Sequence, residues 1–285
     1  MKEQQKKYEL TGEFIEHWSG KKLYRIRALV SFGVVVAGQL GGFVESEKNL
    51  DQSLSGDAWV YGDARVYGNA RVYGNARVYG DAWVYGDALV YGDAWVYGNA
   101  RVYGNARVYG NARVYGDAWV YGDARVYGNA RVYGNARVYG NARVYGDAWV
   151  YGDARVYGNA EVYGNAWVYG NARVYGDAWV YGNARVYGDA WVCGDALVYG
   201  SARVRSHAVI SERKMIFWAS NVGSENGTLT VFNGKDGLIV TRGCFTGTVD
   251  EFLAKSAEVH DDKTKNEYKL LIEVAKSRIL GVKDE

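Results

Sequence analysis

The chain has 285 residues, 38 of them glycine, 26 tyrosine and none proline, with a formal net charge of +2. This excludes collagen, which needs glycine at every third place and abundant proline, and it excludes ordinary disorder, which is poor in aromatics. It also gives no bulk electrostatic pull toward nucleic acid or an anionic membrane.

The N-terminal MKEQQKKYELTGEF lacks the apolar core of a signal peptide. The longest apolar stretch, Ala28 to Ala37, is interrupted by Ser31 and is too short to span a bilayer. Cys193 and Cys244 form neither a disulfide framework nor a metal spacing, so free thiols in a reducing cytoplasm are expected. Residues 1–53 read as an N-terminal β cap. Tyr8 to Ile15 and Leu23 to Leu29 are strands around the turn Ser19-Gly20, and Gly38, Gly41 and Gly42 bend the chain into its central segment.

From Gly56 to Ile210 the sequence repeats Gly-(Asp/Asn)-Ala-X-Val-Tyr without insertion or deletion. Valine falls at 60 and every sixth residue to 204, Ile210 continues the series, and Leu54 takes the place before it. Residues two apart share one face of a strand, so Ala and Val point inward while X and Tyr point outward. Gly and Asp/Asn tolerate tight turns and form the corner. A helix is excluded, because valine every six residues drifts around a 3.6-residue period and the recurring glycine would break it. Strands this short bury a face only by stacking. Three hexads closing a triangle make a coil of 18 residues, and residues 54–210 then form a parallel β-solenoid of eight to nine coils, about 40 Å long at the usual strand spacing. Its interior is a dry column of Val and Ala with no room for a ligand.

The hexad Val-Tyr-Gly-Asn-Ala-Arg resembles the hexapeptide repeat of left-handed parallel β-helix proteins, in which an aliphatic residue is followed four places later by a small one. Left-handedness is what the resemblance implies. Tyr after the aliphatic residue departs from that pattern. Leu23 to Asp57 looks like the start of uncharacterised hexapeptide proteins of enterobacteria and of phages or prophages, and the C-terminal pieces Met215 to Trp218 and Gly243 to Thr248 are similar to tails of such proteins in gut Firmicutes. Enzymes of the family are commonly acyltransferases using acyl-coenzyme A, or zinc carbonic anhydrases, and many members are trimers.

Residues 211–285 differ in composition and read as a small α+β unit, either a cap or a partner-binding head. Strands are expected at Met215 to Ala219, Thr228 to Phe232 and Leu238 to Thr241, with turns at Asn226-Gly227 and Asp236-Gly237. Thr248 with Glu251 has capping-box spacing and opens a helix over Val249 to Val259. A second helix, Lys265 to Leu280, puts Tyr268, Leu271, Ile272, Ala275 and Ile279 on one face.

Function turns on the outward X position, which from 59 to 209 holds fourteen Arg, eight Trp, two Leu, one Glu and one Val. At intervals of 18 these fall into three rows. One begins Trp59, Arg77, Trp95, Arg113 and continues to Trp149 and Trp167. The next carries Trp83, Trp119 and Trp191 among arginines. The third runs through Arg71, Leu89 and Arg107. Such rows stabilise themselves by stacking and cation–π contact. They also make a surface for a protein partner, for self-association or for sugar rings. Nucleic acid is disfavoured, because corner Asp nearly match Arg in number. No cofactor, metal or catalytic residue is expected. Coils here are not interrupted by pocket-building loops, and His17, His207 and His260 are scattered without the convergence a zinc site needs. A structural or binding rod is therefore the leading reading, with an acyltransferase or a filament-forming protein as alternatives.

Overall fold

The computed structural model describes residues 5–281, which divide into two compact units at Gly152/Asp153. The division falls inside the repeat rather than at its ends. Each coil touches only its neighbours, so a solenoid has no privileged internal boundary.

In the first unit, β1 (Tyr8–Glu16), β2 (Lys22–Ala28) and β3 (Leu40–Val44) form an antiparallel ribbon. Gly41 and Gly42 lie inside β3, where a bend was expected. A Cβ on Gly41 would stand 2.5 Å from Ile26 and 2.7 Å from the Trp59 ring, so glycine here serves close packing. Next come two-residue strands of sequence X-Val, one per hexad, from β4 (Trp59–Val60) through β19 (Trp149–Val150). They pair in parallel three strands apart, Arg107 facing Leu89 and Arg125, and so build three sheets with 18 residues per coil. β3 joins one sheet through Phe43 opposite Arg65.

The alternation expected from the hexad holds throughout, with every Ala and Val from Ala58 to Val204 fully buried. The corner glycines from Gly62 to Gly200 have a positive φ, as at Gly110 (68°), and a Cβ there would lie 3.1 Å from the backbone nitrogen of Gly128 in the next coil. Both the dihedral and the coil spacing therefore require glycine.

Leu54 corrects the sequence reading, since it is 49 % exposed and lies outside the core. Leu50 fills the column instead, bridging to Val72, and Val44 pairs with Val66. The entering coil thus borrows its inward residues from the cap, out of the six-residue phase. Asn49 donates its amide to the carbonyls of Gly68 and Ala70, and the buried Lys7 ammonium donates to the Gly56 carbonyl, so side chains cover the open edge.

In the second unit, β20 (Arg155–Val156) through β29 (Val209–Ile210) repeat the same coil. The sheet of β30 (Ile216–Val222), β31 (Gly227–Gly234), β32 (Gly237–Arg242) and β33 (Phe245–Thr248) comes after them. β33 has no counterpart in the sequence reading. Helix α1 (Val249–Val259) opens on the Thr248/Glu251 capping box, and α2 (Asp262–Leu280) begins three residues earlier than expected, capped by Asp261. Tyr268, Ile272, Ala275 and Ile279 bury against Val222, Leu229, Val231 and Phe252. This sheet meets the last coil through hydroxyls. Thr241 donates to the Arg203 carbonyl, and the Arg203 N–H donates to Thr230.

Candidate functional site: the outward rows

Stacking at the strand spacing aligns chemically equal side chains along each face. Tyrosines 18 residues apart lie ring on ring, as in Tyr97–Tyr115 (4.7 Å, 3°) and Tyr109–Tyr127 (4.9 Å, 2°) in the first unit. Tyr157–Tyr175 (4.8 Å, 3°) does the same in the second. The columns are closed at their ends. The first step, Tyr61–Tyr79, is edge-on at 88°, Tyr199 meets Trp218 at 84°, and Arg205 covers Tyr187.

Tryptophans are enclosed as well. Trp83 lies between Arg65 (5.0 Å) and Arg101 (5.2 Å), and Trp119 between Arg101 (5.1 Å) and Arg137 (4.9 Å). Trp95 lies between Arg77 and Arg113, Arg131 lies over Trp149, Arg185 over Trp167 and Arg173 over Trp191. Each contact is worth about 0.5–1 kcal/mol at an exposed site. Both flat faces of Trp83, Trp95 and Trp119 are thus covered by guanidinium groups, whereas Trp191, with Arg173 on one side, is 41 % exposed.

Trp59 is corrected most. Read as a member of the outward row, it is fully buried beneath the cap, edge-on to Tyr8 and Phe32. It anchors the first coil and offers no surface. Conversely, Trp179, between Glu161 and Leu197, is 43 % exposed and was not singled out.

Corner residues form a third kind of column. Asn69, Asn75, Asn99 and Asn105 donate their amides to Asp87, Asp93, Asp117 and Asp123 one coil on, at 2.9–3.0 Å. The corner carboxylates thus answer asparagine amides, where arginine charge had been expected to meet them. Asp follows Asp at an interval of 18 only at 63/81 and 177/195. At both, an arginine from outside the repeat stands by, Arg25 at 3.6 Å from Asp63 and Arg213 at 3.6 Å from Asp195. Alternation explains why Asp and Asn units follow no simple cycle, because it keeps carboxylates from stacking at strand spacing. Asn105→Asp would set three carboxylates in one column and remove a donor. Repulsion raises the folded pKa of the new carboxyl, so stability is retained below the unfolded pKa and lost as pH rises through the folded one. Thermal melts should match the parent near pH 4 and show a loss of about 0.5–1 kcal/mol at pH 7, shrinking with salt.

Burial raises the pKa of the stacked Tyr85, Tyr97 and Tyr103 phenols, and pushes Tyr67 and Tyr133 up to about 12. Tyr175 also reaches about 12, first through its hydrogen bond to Cys193, which interrupts the tyrosine row, and then through burial.

Cys193 and Cys244 are free thiols. Among the described residues no three His, Cys, Asp or Glu side chains gather as a metal site, and no helix is long and apolar enough to cross a membrane. The C-terminal unit does hold a cavity of about 350 Å³ that Cys244, His260, Arg242 and the buried Ser256 line together. Sequence spacing gave no sign that Cys244 and His260 share a cavity, because the turn after β32 and the end of α1 bring them there.

Parallel sheets wound from one tandem hexad make this a β-solenoid repeat protein. Ten segments between residues 58 and 194 match the family model described as YdcK Beta solenoid repeat, and the repeat region is similar to that family. No curated protein matches the chain.

Proposed function

We propose that the chain is a non-catalytic structural or binding element whose outward rows, rather than any pocket, are its working surface. The observation that carries this reading is the regular core: in each unit every hexad buries its Ala and Val, and no loop leaves a coil to build a substrate pocket. Repeat identity spent on side-chain ladders serves length and surface, where an acyltransferase would need a base and a cleft. The resemblance of Leu23 to Asp57 to hexapeptide proteins of enterobacteria and of phages or prophages supports a phage or prophage setting for this reading. Partners of the rows are protein, carbohydrate or further copies of the chain.

Thermal melts with coenzyme A and acetyl-coenzyme A test it. Melting temperatures should be unchanged by either compound. A saturable rise with acetyl-coenzyme A would overturn the reading in favour of an acyltransferase.

A further inference from the structure

The cavity of about 350 Å³ in the C-terminal unit is built by α1, α2 and the turns that join β30 to β31 and β32 to β33, and no residue of the coils lines it. Its wall is aromatic. Phe245 meets Phe252 at 5.4 Å, Phe252 meets Tyr268 edge-on at 5.1 Å, and His260 lies 5.5 Å from Tyr268. Rings set at such angles to one another receive a further ring edge-on. The polar groups of the lining are few and of both signs. Arg242 is half-buried and held in place: its Nε donates to the Tyr268 hydroxyl (3.0 Å) and its Nη2 to the Val222 carbonyl (3.3 Å), so Nη1 is the nitrogen left without an acceptor among the described residues. Lys255 is matched by Glu258 at 3.0 Å and adds no free charge. Glu225, exposed in the β30–β31 turn, has neither a cation nor a donor on its carboxylate among the described residues. On α1, Phe252, Ser256 and Val259 line the cavity together. Ser256 is 4 % exposed, and its Oγ has no hydrogen-bond partner. A buried hydroxyl without a partner is costly, and a ligand oxygen relieves it.

We infer that this cavity is a binding site for a free aromatic α-amino acid. One open carboxylate and one guanidinium nitrogen on the same lining call for a zwitterion. The ligand carboxylate accepts from Arg242 Nη1 and the Ser256 hydroxyl, its ammonium donates to Glu225, and its ring packs among Phe245, Phe252 and Tyr268. A plain anion leaves Glu225 opposing it, and a plain cation leaves Arg242 opposing it. The volume lies at the small end of the range for small-molecule sites, and an apolar wall with a few convergent polar groups is the usual make-up of such a site. The inference goes beyond the reading of the rows. It concerns the C-terminal unit alone and gives that unit a ligand of its own, whatever the rows bind.

Calorimetry of the full chain with L-phenylalanine tests this, beside phenylpropionate, which lacks the ammonium, and phenethylamine, which lacks the carboxylate. L-phenylalanine should bind at one site per chain, and each analogue at least tenfold more weakly. Glu225→Gln, at an exposed turn, should weaken L-phenylalanine at least tenfold and leave phenylpropionate no weaker than in the parent. Ser256→Ala should weaken both at least threefold without lowering the melting temperature, since the hydroxyl removed has no partner in the free protein. Saturating L-phenylalanine should slow alkylation of Cys244, which is exposed on the lining, and leave that of Cys193 unchanged. Absence of binding by the parent, equal affinity for the three compounds, or a Glu225→Gln chain that binds L-phenylalanine like the parent would each overturn the site. Tighter binding of phenylpropionate than of L-phenylalanine would overturn it in favour of a simple anion, and L-leucine binding as tightly as L-phenylalanine would overturn the aromatic assignment. None of these results touches the wider reading, which falls only with acyl-coenzyme A binding.

Discussion

Titration from pH 10 to pH 12 is expected to unfold the repeat in one steep transition. An unfolded tyrosine loses its proton near pH 10. Burial holds Tyr67 and Tyr133 at about 12, and Tyr79, Tyr97 and Tyr115 are also raised above that value. Above pH 10 the unfolded chain is therefore the more deprotonated state. The stability these rings contribute is complete below pH 10 and is lost as pH rises through the folded values. The steepness comes from stacking, because each phenolate forms one strand step from the next ring and opposes the ionisation of its neighbours. Arginines beside the rings pull the other way, as Arg131 does at Tyr133, but burial is the larger effect. Circular dichroism and tyrosinate absorbance recorded together check this. The two curves should coincide between pH 10 and pH 12. Tyrosinate appearing in full near pH 10, with the fold intact, would show that the columns do not hold their protons.

The same columns show how far the sequence carried. Period two inside each hexad placed Ala and Val inward because strand geometry leaves no alternative, and glycine marked each corner because of its left-handed dihedral. The Thr248/Glu251 pair announced α1 because a capping box is local chemistry. What was missed depends on contacts between distant segments. Leu54 had the right phase, yet the cap supplies Leu50 instead. Gly41 and Gly42 looked like a bend, yet Gly41 leaves room for Ile26 and Trp59, and Gly42 for Val60 and the Ala64 carbonyl. Trp59 looked like its seven repeat-mates until Tyr8 and Phe32 covered it. The rows themselves were legible from intervals of 18, but ring orientation was not. Spacing says that Trp83 and Arg101 are neighbours; only the side-chain torsions put the guanidinium over the ring and close the face to a ligand.

Val126→Asp and the deletion of residues 99–116 form the sharpest pair of changes. Val126 is fully buried in the column between Val108 and Val144. A carboxylate there finds no hydrogen-bond partner and no water, and stays in place only by taking up a proton. The cost should be on the order of 4–5 kcal/mol at pH 7, enough to melt the coils around it. Lowering the pH should recover part of the loss, because the folded pKa of a buried acid lies above the unfolded one. Deleting residues 99–116 changes eighteen positions where the first change alters one, yet it should be far milder. Gly98 then meets Asp117, each hexad keeps its phase, each row keeps its members on one face, and only one coil's share of neighbour contacts is lost. Removal of Tyr109 alone should be worse than removal of the whole coil, since a one-residue slip turns the following Ala and Val outward until a bulge restores the phase. Urea denaturation of the three variants gives the ranking. A coil deletion that costs as much as the buried carboxylate would mean that the coils are not interchangeable and that the stack has some other determinant than its six-residue phase.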